Sequence, residues 1–254
     1  MEERNIKKAF TEAEQRALEV LTPLGALTID MQEAIRRAQA ETVFADENAV
    51  LLYHNCSIPM LWCANKASGE AALDALCRLN SPVRLLVTHG EAAAEAARDK
   101  LGFDIGEACI QFCRFSKEKL PMKNIGVIRP LDMGDLDEVN ARYALGGPEH
   151  NEQAIKSGNM FGIEIDGRLA GFIGMHSEGS VGMMEVFPEY RRRGLGTELE
   201  SYMHNMHIDR GWIPYGQVYV SNAASLEMQA KFGLTSSEDH IWWTLDPSIR
   251  RQDG

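Results

Sequence analysis

Val186-Phe187-Pro188-Glu189-Tyr190-Arg191-Arg192-Arg193-Gly194-Leu195-Gly196-Thr197 joins a strand-like run to an amphipathic helix. Pro188 supplies no backbone donor and disfavours helix at Phe187, so the strand ends there and the chain turns. Gly194 and Gly196 carry no Cβ, which lets an anion reach the peptide N–H groups that open the next helix. Those first N–H groups lack intrahelical partners and sit at the positive end of the helix dipole, an arrangement suited to a pyrophosphate. Three consecutive arginines add positive charge at the same place. The stretch reads as an anion cradle; the competing reading is a solvated basic turn capping a helix. Beyond it, Leu195, Leu199, Tyr202 or Met203, and Met206 recur at spacings of three or four, an apolar stripe that packs a helix on a sheet and holds the cradle rigid.

The flanking segments extend the pattern. Upstream stand Phe161-Gly162-Ile163-Glu164-Ile165, an Asp166-Gly167 turn, then Leu169-Ala170-Gly171-Phe172-Ile173-Gly174, a hairpin. Downstream, Val218-Tyr219-Val220-Ser221-Asn222-Ala223-Ala224-Ser225 leads to Lys231-Phe232-Gly233-Leu234. The run V-x-P-x-x-R-x-x-G-x-G resembles the acyl-CoA pyrophosphate loop of the GNAT acyltransferase superfamily. The downstream segment is similar to that family's N-x-x-[AS]…K-x-G-[FL]. The likeness covers roughly Ile125 to Leu245, about half of the chain.

Composition bounds the partners. The 254 residues carry a net charge of −11, which argues against a nucleic-acid surface, and the positive charge is focused at Arg191, Arg192 and Arg193. No apolar run approaches the ~18 residues of a membrane span, and Met1 to Lys8 is charged rather than signal-like. No membrane partner and a cytoplasmic location are expected. Cys56, Cys63, Cys77, Cys109 and Cys113 are odd in number and lack a C-x-x-C pair, which predicts buried reduced thiols.

In chain order, Ile6 to Leu21 has helical apolar spacing, and a second helix is expected over Met31 to Ala40. Ala49–Tyr53 and Pro59–Cys63 read as buried strands, and Ser68-Gly69-Glu70 opens a helix. Val83–Val87 reads as a strand, Glu91–Leu101 as an alanine-rich helix, and Ala108–Phe115 as a strand. The layout from Val83 to Phe115 is echoed from Gln217 to Leu245, each a strand, turn, helix and closing strand. The fold class expected is therefore α/β (α+β), with two tandem GNAT-like modules, each a mixed, mostly antiparallel sheet flanked by helices, the first degenerate. Residues 1–115 form the degenerate module, 116–124 a charged, proline-containing linker, and 125–254 the catalytic domain. In the first module the segment before the helix, Ala64 to Glu70, holds no arginine and one glycine. It should bind no pyrophosphate, and is assigned a structural or substrate-shaping role.

In the second module Val127–Leu131 reads as a first strand, with Asp132 or Asp135 capping a helix that reaches Tyr143. Gly146-Gly147-Pro148 breaks it, and Glu149 to Ser157 forms a short helix. The resemblance makes Arg142, Tyr143, Glu149 and His150 candidate walls of an acceptor pocket, against a plain surface role. Glu200, His204 and His207 share a helix face, but a structural metal usually needs four clustered ligands, so no metal is expected.

The resemblance implies direct acyl transfer from acetyl-CoA or another acyl-CoA to the primary amine of a small molecule. Such a site must remove a proton, stabilise an oxyanion and protonate a thiolate. Met184, Glu185, Val186 and Phe187 occupy the strand that binds the pantetheine arm in the family. Arg191, Arg192, Arg193, Gly194, Leu195, Gly196 and Thr197 take the pyrophosphate, and Asn222 and Ser225 lie beside the pantetheine. Where many relatives carry a glutamate or histidine, six residues before the cradle valine, stands Ser180. Candidate bases are then Glu178, His176, Glu185 if a bulge turns it inward, or water. The usual acid, a tyrosine seven residues after Asn222, is Gln229 here, leaving Tyr219 and Ser225 as hydroxyls. The tandem layout, Pro-Glu-Tyr-Arg and the missing tyrosine resemble the glycine N-acyltransferase group, which implies a small amino acid as acceptor. The alternative is an acyl-CoA-binding or sensing module with little turnover.

Overall fold

The computed structural model describes residues 9–79 and 82–248. The chain divides into two compact units. The first runs to Gln111 and takes in Tyr219–Ala223 and the stretch from Ser236; the second is Phe112–Val218 with Ala224–Thr235.

In the first unit α1 (Glu12–Leu21) begins at a capping box in which Thr11 accepts from the amide of Glu14 and Glu14 reaches back to that of Thr11. The expected earlier start at Ile6 lies outside the described residues. Then follow α2 (Ile29–Arg36), β1 (Ala40–Ala45), β2 (Ala49–His54), β3 (Pro59–Cys63), α3 (Lys66–Cys77), β4 (Leu85–His89), α4 (Glu91–Leu101) and β5 (Asp104–Cys113). α2 ends at Arg36, short of the Ala40 expected from the sequence, and β1 begins at Ala40. Strand alternation sorts the core onto two faces. Leu51 and Leu61, opposed in the β2/β3 register, pack with α3 and α4, whereas Leu52 and Met60, the next pair, pack with α1 and α2. A Cβ at Gly69 would meet Cys63 Sγ at 2.7 Å and Ala96 Cβ at 2.8 Å, so this glycine serves close packing of α3. Of the five free cysteines Cys63, Cys109 and Cys113 are buried, Cys56 is half-buried and Cys77 is exposed, so buried thiols hold for three.

The second unit contains β6 (Val127–Pro130), α5 (Leu136–Arg142), α6 (Gly147–Lys156), β7 (Met160–Ile165), β8 (Arg168–Met175), β9 (Val181–Val186) and α7 (Leu195–Asp209). The chain continues through β10 (Tyr215–Tyr219), α8 (Ala223–Lys231), β11 (Thr235–Ser236) and β12 (Ile241–Leu245). β6, β7, β8 and β9 form an antiparallel sheet in chain order. One face carries Met160, Phe172 and Phe187 with Val139 and Ile155 from α5 and α6; the other carries Phe161, Ile163 and Ile173 against Leu195, Leu199 and Met203 of α7. The stripe expected on α7 is thus the face that meets the sheet. The expected linker is bound along α7: Glu198 accepts from the amides of Lys123 and Asn124, and Asn205 accepts from the amide of Leu120 and donates to its carbonyl.

One strand lies elsewhere than expected. The sequence reading closes the C-terminal module with Ile241–Leu245, but β12 belongs to the sheet of the first unit. It pairs antiparallel with β4, Ile241 opposite His89, and with β5, Ile241 opposite Cys109. Within that unit the order is β1-β2-β3-β4-β12-β5, mixed through the parallel β3/β4 pair and otherwise antiparallel. Ile241 and Thr244 are fully buried, and Thr244 Oγ1 donates to the Leu86 carbonyl at 2.8 Å.

Candidate active site

The cradle is built by a break in β9 and by the uncapped start of α7. β9 pairs with β8 through Gly171 opposite Val186 and Phe172 opposite Glu185, then resumes at Gly174 opposite Gly182. Between them Met183 and Met184 face one residue, Ile173, which is a β-bulge, and Met183 has φ +50°. A bulge leaves the extra residue out of the ladder and re-aims the side chains beyond it. The amide of Phe187 donates to Ala170 O at 3.0 Å, the last bond before Pro188 turns the chain. Gly194, with φ +86°, precedes α7, and the first i to i−4 bond runs from the amide of Glu198 to Gly194 O at 3.0 Å. The amides of Leu195, Gly196 and Thr197 therefore lack intrahelical partners. No side chain caps this helix. α3 differs, since Asn65 Oδ1 accepts from the amide of Ser68 at 3.0 Å and occupies the corresponding turn.

Those amides face a cavity of about 480 Å³. Met184, Glu185 and Val186 of the bulged strand line one side, Arg191, Arg192 and Gly194–Thr197 the cradle, and Ala224, Ser225 and Met228 of α8 the rest. A Cβ at Gly194 would meet Ile125 Cδ1 at 3.1 Å on a backbone that already disfavours one. At Gly196 a Cβ would meet only Val186, Met184 and Met228 atoms at 3.7–3.9 Å, ordinary contact. The fold tolerates a side chain there, so the glycine keeps the cavity open. A helix N-terminus beside arginines, with room for a chain of atoms toward β9, fits the pyrophosphate and pantetheine of an acyl-CoA.

Most expected cofactor residues line this cavity, and three have other partners. The ring of Phe187 is buried edge-on against Phe172 and lies under the Arg142 guanidinium, 4.0 Å from the ring centroid. Arg193 stacks over Tyr190 at 5.6 Å. Asn222 falls in the first unit, where its amide donates to Tyr219 O. Met228 and Ala224 were missed by sequence reasoning, though their spacing of four sets them on one helix face next to Ser225.

Among the candidate bases the structure separates roles. Glu185 lines the cavity, but its carboxylate is paired with Arg191 at 2.8 Å while Arg191 Nε also donates to Val186 O. Glu178 is buried and accepts from the Ser180 hydroxyl; Tyr215 OH donates to its backbone carbonyl at 2.6 Å. His176 stands in the same turn, its amide donating to Ser180 O. Its ring stacks with His150 from α6, centroids 5.4 Å apart. Burial lowers the His150 pKa, the neighbouring His176 lowers it further, and Glu178 acts in the opposite sense. The fit needs Gly182, where a Cβ would lie 2.5 Å from His176 Nε2. Of the four acceptor-wall candidates His150 joins this cluster. Arg142 pairs with Glu138, Tyr143 packs edge-on against Phe172, and Glu149 is exposed.

Gln229, at the usual acid position, donates from Nε2 to Glu200 Oε1 at 3.2 Å, and Glu200 pairs with His204 at 3.3 Å. His207 Nε2 instead meets Met175 Sδ at 3.2 Å. Among the described residues no group of three His, Cys, Asp or Glu is placed to hold a metal ion. Tyr219, in the first unit, has its phenol pKa raised by burial and by Cys109 and Glu107, so it keeps its proton at neutral pH. No helix among the described residues is long and apolar enough to cross a membrane.

Residues 135–234 match the model of the acetyltransferase (GNAT) family. A search of curated protein sequences finds no match. Among solved structures the chain is similar to a Drosophila protein from a structural genomics programme, with 15% identity, 93% of this chain and 96% of that one covered, and a TM-score of 0.62. It is also similar to a GCN5-related N-acetyltransferase-like protein from Streptococcus suis, at 12% identity, 92% and 100% coverage and a TM-score of 0.55. A putative acetyltransferase of the GNAT family from Novosphingobium aromaticivorans aligns at 21% identity over 92% and 98%, with a TM-score of 0.51. At these identities the likeness shows the fold.

Proposed function

We propose that the chain is an acyl-CoA-dependent N-acyltransferase that moves an acyl group, acetyl in the simplest case, to the primary amine of a small molecule such as an amino acid. The observation that carries this reading is the uncapped start of α7 facing a cavity beside the β9 bulge. The amides of Leu195, Gly196 and Thr197, with Arg191 and Arg192, hold the pyrophosphate. Backbone groups freed at Met183 and Met184 bind the arm that leads to the thioester, and one of their amides can stabilise an oxyanion. Acyl-CoA supplies the activated acyl group.

Proton removal falls to Glu178 acting through Ser180. As the Ser180 hydroxyl gives its proton to the Glu178 carboxylate it takes one from the amine, so the serine ends the step unchanged and Glu178 ends it protonated. Ser180 stands where many relatives carry the base, and this hydrogen bond gives that position a carboxylate again. Ser225, on the cavity wall, is a hydroxyl able to donate a hydrogen bond to the departing thiolate, which takes its proton from water.

The second reading is an acyl-CoA-binding module with little turnover. It is favoured by Gln229, whose amide is engaged by Glu200 and carries no transferable proton. Both readings require donor binding, so the deciding experiment is free-thiol release from acetyl-CoA with and without amino acids, polyamines and aminoglycosides. Amine-dependent release establishes the transferase and the acceptor class. Tight binding without release establishes the binding module.

A further inference from the structure

β2 and β3 of the first unit are joined by the turn His54-Asn55-Cys56-Ser57-Ile58, buried at its sheet end and open at its tip. His54 closes β2 opposite Ala40 of β1. Its amide donates to Ile58 O at 2.9 Å and its carbonyl accepts from the Ser57 amide at 2.9 Å, so the ring leaves a fixed backbone. The residue is 2% exposed. Two donors meet its Nδ1: the Cys56 amide donates to it at 3.2 Å, and Cys56 Sγ lies 2.8 Å away. An amide can only donate, so Nδ1 holds the lone pair and the thiol proton faces a base. Cys56 is half-buried between exposed Asn55 and Ser57, which leaves a small molecule an approach from the tip of the turn. A thiol set against a neutral imidazole is the arrangement that activates a cysteine as nucleophile.

We propose that Cys56 and His54 form a reactive-thiol site, at which a low-molecular-weight disulfide converts Cys56 to a mixed disulfide; the proposal is independent of the acyl-CoA reading above. His54 Nδ1 takes the thiol proton as Cys56 Sγ attacks one sulfur of the small disulfide. The new Sγ–S bond forms while the S–S bond of the reagent breaks, and its electron pair passes to the departing sulfur. That thiolate takes the proton from the imidazolium, and His54 returns to neutral. Cys56 is thereby oxidised to the disulfide level and one half of the reagent is reduced to a thiol. In-line attack on a disulfide needs one clear approach to the sulfur, which the tip of the turn supplies. Other cysteines provide internal comparison. Burial pushes the Cys63 thiol up to about 11 and, with the charge of Glu107, that of Cys109 up to about 12, so neither supplies thiolate at neutral pH. Cys77 is exposed at the end of α3, and Lys100 nearby is paired with Asp74 at 2.6 Å.

The test exposes the folded full chain at pH 7 to bis(hydroxyethyl) disulfide and follows each cysteine-containing peptide by mass spectrometry. Cys56 is expected to form its mixed disulfide about fivefold faster than the more exposed Cys77, the gain in thiolate from the imidazole being partly offset by lower nucleophilicity. His54→Gln should remove that advantage, with Cys63 and Cys109 still unmodified as the sign that the fold is kept. In urea the unaltered chain should react at Cys56 and Cys77 alike, a comparison that does not need the variant to fold. Cys56 no faster than Cys77 in the folded chain, or an advantage that persists in His54→Gln or in urea, would overturn the proposal.

Discussion

His150 Nε2 lies 3.3 Å from His176 Nδ1, with the two rings 26° from parallel. Two imidazolium charges at that separation oppose each other, so the charge of His176 disfavours protonation of His150. The groups that face it are Glu178, which favours protonation of His150, and His176 itself, which together with burial disfavours it. His150 therefore stays neutral to a pH below the ordinary histidine value of about 6.5. The His150 ring should titrate below that value in an NMR titration. His176→Gln removes the like charge, lets the His150 pKa rise, and should move the midpoint upward in pH. NMR titration of wild type and variant checks this, and an unmoved midpoint would show that His176 does not set it.

Gly196 separates ligand space from fold. Ala at this position makes only ordinary contacts in the first turn of α7, and Gly to Ala in a helix gains about 0.5–1 kcal/mol. Gly196→Ala should keep or slightly raise the urea midpoint. Gly196→Leu should fill the cavity and reduce acetyl-CoA affinity at least a hundredfold, with the midpoint still near wild type. Retained affinity in the leucine variant, measured by calorimetry, would show that the donor does not cross this turn.

The cradle was legible because its signals are local. Pro188 ends β9, Gly194 adopts positive φ, and the arginines announce the charge. The bulge was not, since Met183-Met184 has no residue that favours positive φ; pairing with β8 on both sides imposes it. The placement of β12 was hidden for a related reason. A strand after a helix looks alike whichever sheet accepts it, and the choice rests on non-local pairs such as Ile241 with His89. The Glu178–Ser180 contact lies between. Two polar residues two apart in a hairpin turn are visible, but their burial is not.

In the first unit Asp30 and His89 have no exposed side-chain surface and approach to 2.8 Å. His89 Nδ1 faces the Leu61 carbonyl at 3.1 Å, and Gln111 donates to Asp30 at 3.0 Å. Burial would raise the Asp30 pKa, but His89's charge and hydrogen bond, then Gln111 and the amide of Met31, bring it below the ordinary value. The pair's contribution is thus present above an unfolded carboxylate pKa of about 3.9 and is lost as pH falls through the lower folded value. Asp30→Ala leaves a buried polar ring without its partner and should cost about 3–5 kcal/mol at pH 7. Urea denaturation at pH 7 and pH 5 should give nearly the same loss. A loss already reduced by half at pH 5 would contradict the lowered pKa.

Glu178→Gln tests the relay while sparing its packing. Glutamine retains an oxygen that can accept from the Ser180 hydroxyl, and the backbone carbonyl bonded by Tyr215 is untouched. What disappears is the capacity to store a proton. The expected outcome is a fall in kcat of about 10²–10⁴, the range for a general base, with acetyl-CoA affinity unchanged. Ser180→Ala should lose a similar factor, because the carboxylate then has no carrier to the amine. The double variant should be little worse than either single one, since residues acting in series are not additive. Multiplicative losses would mean that Ser180 and Glu178 act independently, with the proton leaving by another route. A wild-type rate in Glu178→Gln would return the assignment to His176 or to water.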